Sequence, residues 1–189
     1  MIIGVDTSFL LYLFAEPGEV GTPLQNGQPI PFAKERVAAL VSELEKLKAT
    51  IIVGTPAMSE LMIRSGVPAG QQWLAIMKKS TVFKVVPFDE KSAVEVAIMA
   101  GHALEGEKGT IANGATYAKL KYDRQIVAIA HTEGATAFYS DDDNQRTHAA
   151  RLGMNVKGLA DCIVPPTASQ SPLQLVGGRG EKPVKTGQS

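Results

Sequence analysis

Cysteine is all but missing from this chain. One residue, Cys162, stands in 189, so no internal disulfide can form and a cysteine-based zinc site is excluded. Long apolar runs are missing too. No stretch reaches the roughly 20 residues that a bilayer-spanning helix needs. Acidic Asp6 interrupts the apolar N-terminus, which argues against a secretory leader. These absences lead to the expectation of a cytoplasmic protein with no membrane part. Nor does either charge dominate: 19 Lys and Arg balance 19 Asp and Glu, which by itself announces no polyanionic partner. There are no internal repeats.

What is present is an ordinary globular composition, 44% apolar and 20% charged, at a length that suits one domain with its own core. From Pro165 onward the chain turns to Pro, Gly, Ser, Thr and Gln. That shift predicts a folded domain over 1–163 and a flexible tail over 164–189. The tail holds three basic residues and one acidic residue, leaving 16 basic and 18 acidic residues in the domain. Setting aside the five acids singled out below, the rest of the domain carries a small positive excess. A polyanion is therefore allowed on its surface.

Short β-rich runs alternate with helical patterns, as in an α/β domain built on a parallel sheet. Strands are predicted at 2–5, 51–53, 82–86, 136–139 and 154–157. Helices are predicted at 7–14, 32–48, 55–64, 70–79 and 89–104, then as a pair broken near Tyr122, then at 145–152. Thr55 reads as an N-cap with Pro56 at the first helical position. Residues 16–31 hold four prolines and three glycines and read as a long loop, and 105–114 as a second loop.

Five acids fall where such a fold converges: Asp6, Glu60, Asp123, Asp141 and Asp143. Asp6 follows the first strand and Asp141 the fourth, and parallel α/β sheets build their sites at the carboxyl ends of strands. Glu60 and Asp123 are expected near helix starts, where the dipole favours anions. Each acid alone has a plain explanation as a cap, a solvated helix residue or an acidic first turn. Together they would repel unless a cation sat among them. Oxygen ligands suit Mg²⁺ or Mn²⁺, which can activate a water and stabilise a leaving phosphodiester oxygen. Thr7, Ser8, Ser59 and Ser140 flank the acids and could orient them. Lys119, Lys121 and Arg124 cluster beside Asp123, and Arg146, His148 and Arg151 follow the acidic turn. They suit RNA phosphates, or else a solvated helix face with local charge balance. Because a metal lowers the pKa of its water, His148 is not required as a base.

The segments Ile3-Gly4-Val5-Asp6-Thr7-Ser8, Thr55-Pro56-Ala57-Met58-Ser59-Glu60, Asp123-Arg124-Gln125-Ile126 and Tyr139-Ser140-Asp141-Asp142-Asp143 occur in that order along residues 1–160. In order and spacing the chain resembles the PIN-domain nucleases, most closely the VapC-like toxin ribonucleases of toxin–antitoxin pairs. The resemblance implies a three-layer α/β/α sandwich with a central parallel sheet and Mg²⁺- or Mn²⁺-dependent hydrolysis of RNA. By matching position it implies Asp6, Glu60, Asp123 and Asp141 as metal-binding catalytic acids. Asp143 is then auxiliary, with Thr7 and Ser140 in support. It also implies a homodimer and a small antitoxin partner. Three features depart from the family pattern: Asn144 where an aromatic is usual, the length of 16–31, and the tail. Two other readings stay open. One is a catalytically silent PIN-like module that binds RNA or protein. The other is a phosphatase with Asp6 as nucleophile, against which Ser8 occupies the place of the usual second acid.

Overall fold

The unbroken apolar run of the first strand, Ile2-Ile3-Gly4-Val5, demands a sheet covered on both faces. In the computed structural model, residues 1–16, 18–106 and 117–166 are described, the side chains of 101–106 and 117–121 excepted. The elements run β1 (Ile2–Val5), α1 (Thr7–Phe14), β2 (Leu24–Gln25), β3 (Gln28–Pro29), α2 (Ala33–Lys46), β4 (Thr50–Gly54), α3 (Thr55–Ser65) and α4 (Val67–Lys79). They continue β5 (Phe83–Val86), α5 (Glu90–Gly106), α6 (Tyr117–Thr132), β6 (Ala137–Tyr139), α7 (Asp143–Arg151), β7 (Asn155–Lys157) and a 3-10 turn, Leu159–Asp161. The main sheet has five strands in the order β5-β4-β1-β6-β7, every pair parallel.

On one face Val5, Ile51 and Phe83 meet Phe9 and Leu10 of α1 and Val37 and Leu40 of α2. On the other, Ile52 and Val86 pack with Ile129 of α6. The result is a three-layer α/β/α sandwich with a central parallel sheet, as the sequence led us to expect. Gly4 shows how closely the layers approach. A Cβ there would lie 2.5 Å from the Ala130 Cβ and 2.7 Å from the Phe138 ring, so only glycine lets α6 settle onto β1. Among the described residues, no helix is long and apolar enough to cross a membrane.

Four local expectations need correction. The break near Tyr122 does not occur: α6 runs unbroken from Tyr117 to Thr132. No glycine or proline interrupts that stretch, and such residues are what ends a helix. Asp123 therefore lies within a helix rather than at its start. Second, Thr55 is already helical and Gly54 is the N-cap; the Thr55 hydroxyl instead accepts from the Phe88 N–H at 3.1 Å. Third, part of the loop at 16–31 folds as an antiparallel ribbon, Leu24 opposite Pro29 and Gln25 opposite Gln28. Asn26 and Gly27 at its tip both have positive φ, the signature of a tight hairpin. Fourth, α4 starts at Val67, immediately after Gly66, with Pro68 in its first turn, where a missing N–H costs nothing. The predicted loop at 105–114 lies outside the described residues except for 105–106, which end α5. The tail from 167 lies outside them altogether.

Candidate functional site

The sheet order sets the location of the site. From β1 the chain moves outward to β4 and β5, then returns to the other side of β1 with β6 and β7. The strand order reverses between β1 and β6, and ligands of open α/β sheets bind in the crevice at that point, beyond the carboxyl ends of the strands. Asp6 leaves β1 there. Ser140-Asp141-Asp142 leaves β6 beside it, the Asp6 N–H donating to the Tyr139 carbonyl at 3.2 Å.

Asp6 is 2% exposed and caps α1, one carboxylate oxygen accepting from the Phe9 N–H at 2.8 Å. The other accepts from the Ser140 hydroxyl at 2.6 Å. Ser140 is held in turn by the Asp142 N–H, which donates to its oxygen at 3.0 Å. Burial raises the Asp6 pKa to about 7 despite those two hydrogen bonds, and the negative charges of Asp141 and Asp142 push it the same way. At least three carboxylates thus share one field.

Glu60 reaches the site from the middle of α3. The Thr7 hydroxyl donates to it at 2.7 Å. Its other oxygen lies 4.0 Å from Arg64 one turn on, a long, half-exposed contact of little energetic weight. Asp123 is 4% exposed and accepts from the Gln145 side-chain amide at 3.0 Å. Its placement follows from the Gly4–Ala130 contact. The chain turns from α6 directly into β6, so the helix runs against the strands. Asp123, seven residues before Ala130, then lies about 10 Å towards their carboxyl ends.

The three consecutive aspartates part company. Asp141 is exposed, and one of its oxygens accepts from the Leu159 N–H at 3.0 Å. Gly158 makes room for this, since a Cβ there would lie 2.5 Å from the same oxygen. Asp142 caps α7, accepting from the Asn144 and Gln145 N–H groups. Asp143 is exposed in the first turn of that helix. Sequence reasoning passed over Asp142 and Gln145. Three consecutive aspartates gave no signal that singles out Asp142 as the cap, and an isolated glutamine gives none either.

Of the basic candidates, Arg146 donates to the Ser140 carbonyl at 3.0 Å, Arg151 is exposed and Arg124 is half-buried. The side chains of Lys119 and Lys121 lie outside the described residues. His148 is buried. Burial lowers its pKa to about 4, with Arg124 and Arg151 adding to the effect and Asp142 opposing it. It is neutral at physiological pH. Burial pushes the Cys162 thiol up to about 11, so it is an inert apolar group.

The donor set consists of carboxylate oxygens, the chemistry of a hard divalent cation. Among the described residues, no three His, Cys, Asp or Glu side chains close on one point.

No protein-family model and no curated protein matches the sequence. Among solved structures, the chain is similar to one in VapBC2 from Rickettsia felis, crystallised with a DNA fragment from their promoter. The TM-score is 0.50 at 18% identity, covering 84% of this chain and 98% of that one. At that identity the likeness is one of fold.

Proposed function

We propose that this chain is a metal-dependent endoribonuclease, the toxin of a type II toxin–antitoxin pair, hydrolysing RNA phosphodiester bonds with Mg²⁺ or Mn²⁺. One observation carries the reading. Buried Asp6 stands at the topological switch point, with Asp141 and Asp142 near enough to raise its pKa. Gathering acids there costs stability, and a cation would offset the cost. The fold shared with a VapBC2 chain supports it.

A bound divalent ion would lower the pKa of an attacking water and neutralise phosphate charge. Asp6 and Asp123 would hold it, with Glu60 and Asp141 completing the set directly or through water and Asp143 as an auxiliary acid. Thr7 fixes Glu60, and Ser140 fixes Asp6. Arg124, Arg146 and Arg151 supply positive charge for the RNA backbone, with Lys119 and Lys121 as further candidates. Exposed Ile63, Val67 and Ile76 on α3 and α4 suit a protein partner, an antitoxin or a second copy in a homodimer. Such a protein would work in the cytoplasm. One observation favours a second reading, a catalytically silent PIN-like module for RNA or protein: the acids do not close on one point.

Incubating the full chain with total RNA tests this, with Mg²⁺ or Mn²⁺, with EDTA, and as Asp6→Asn. Cleavage that needs both the metal and Asp6 is expected. The variant should lose at least about 100-fold in rate, comparable to the loss of one strong electrostatic contact to a transition state. No cleavage, with no thermal shift on adding Mn²⁺, would leave the binding module.

A further inference from the structure

Gln145 is the polar side chain that the proposed chemistry leaves unused. It is 5% exposed in the first turn of α7, where an apolar residue would cost less. Both ends of the residue are engaged with acids. Its backbone N–H donates to the Asp142 carboxylate at 3.2 Å, and its side-chain Nε2 donates to Asp123 Oδ1 at 3.0 Å. Asp123 belongs to α6 and Asp142 to the turn after β6, so this one residue spans the two elements. Its Oε1 is buried with no hydrogen-bond partner among the described residues. Leaving an acceptor bare costs about 1–3 kcal/mol, so a role purely in packing is a poor account of a glutamine here. An ionised carboxylate only accepts, so the amide must face Asp123 with its nitrogen.

We infer that Gln145 is a positioning residue of the acidic site, holding the Asp123 carboxylate in register with the turn that carries Asp141 and Asp142. It acts through Asp123 and touches neither RNA nor the reacting atoms. The inference rests on the metal-dependent reading above. Removing such an outer partner typically weakens metal affinity by about 10–100-fold.

The test is a double-mutant cycle read by calorimetric titration of the full-length chain with Mn²⁺ alone. Gln145→Met keeps the length of the side chain and removes its hydrogen bonds. It should weaken Mn²⁺ binding by about 10–100-fold in the wild-type background and change it little in an Asp123→Asn background. A purely structural glutamine would not distinguish the backgrounds. Equal weakening in both, or unchanged affinity in the wild-type background, would overturn the inference. If melting in EDTA shows that Gln145→Met does not fold, Gln145→Asn replaces it, keeping the amide but falling short of Asp123, with the same expectations. Failure of the wild-type chain to bind Mn²⁺ at all would sink the metal reading and this inference with it. That failure appears before any variant is made, so the two are distinguishable.

Discussion

At the scale of single residues, two buried titratable groups pull stability in opposite directions with pH. Asp6 has a folded pKa of about 7, raised above 3.8. The metal-free folded state therefore holds its proton more tightly than the unfolded chain, and stability falls as pH rises through that window. His148 has a folded pKa of about 4, lowered from 6.5. Here the unfolded chain takes up the proton more readily, so stability is full above pH 6.5 and is lost as pH falls towards 4. For His148 the loss between pH 7.5 and pH 5 amounts to about 2 kcal/mol. In the wild-type protein the Asp6 effect largely hides it. His148→Gln should expose it: urea denaturation in EDTA should show the variant gaining about 2 kcal/mol relative to wild type between those pH values. A difference that does not change with pH would mean that His148 is not desolvated in the folded state.

At the scale of elements, the contact between α6 and β1 controls where Asp123 sits. Gly4→Ala would drive a methyl group into Ala130 and Phe138. Overpacking of this kind costs about 1–3 kcal/mol. Relief would come from moving α6 outward, taking Asp123 away from Asp6. The variant should therefore lose stability in urea and also bind Mn²⁺ more weakly in calorimetry. Loss of stability with unchanged Mn²⁺ affinity would show that α6 does not set the site. Strands were the most legible elements in the sequence. Ile2-Ile3-Gly4-Val5 and Ala137-Phe138-Tyr139 are apolar and β-rich, and their burial agrees with that reading. Helix boundaries were less legible, because propensity around Tyr122 is neutral and only the packing of α6 on the sheet decides that the helix continues. The acidic turn marks another limit. In Asp141-Asp142-Asp143 the composition is uniform, so nothing local tells which carboxylate caps the helix, which bonds to Leu159 and which faces solvent. Those assignments come from backbone geometry and from the 3-10 turn that follows β7. Gln145 was illegible for a related reason, since its partner lies 22 positions away on another helix.

At the scale of the whole molecule, balanced charge hides an uneven distribution. Apart from the five acids of the proposed site, the domain is mildly basic. On the proposed function, metal binding and RNA binding would be coupled electrostatically, because a cation would weaken the repulsion between the acids and phosphate. This has a measurable signature in salt dependence. For single-stranded nucleic acid, the logarithm of the binding constant falls with the logarithm of salt at a slope of about −0.7 per phosphate neutralised. With Arg124, Arg146 and Arg151 each meeting one phosphate, the slope should be near −2. It should be measured on the Asp6→Asn variant, so that the RNA is not cut during the titration. Arg151 is the cleanest probe because it is exposed, whereas Arg146 also holds the Ser140 carbonyl. Adding Arg151→Ala should shift the slope by about 0.7 towards zero and weaken binding to unrelated RNA sequences alike. An unchanged slope would make Arg151 an ordinary solvated helix residue and move the RNA path to the side of the crevice lined by α3, where Arg64 stands beside Glu60.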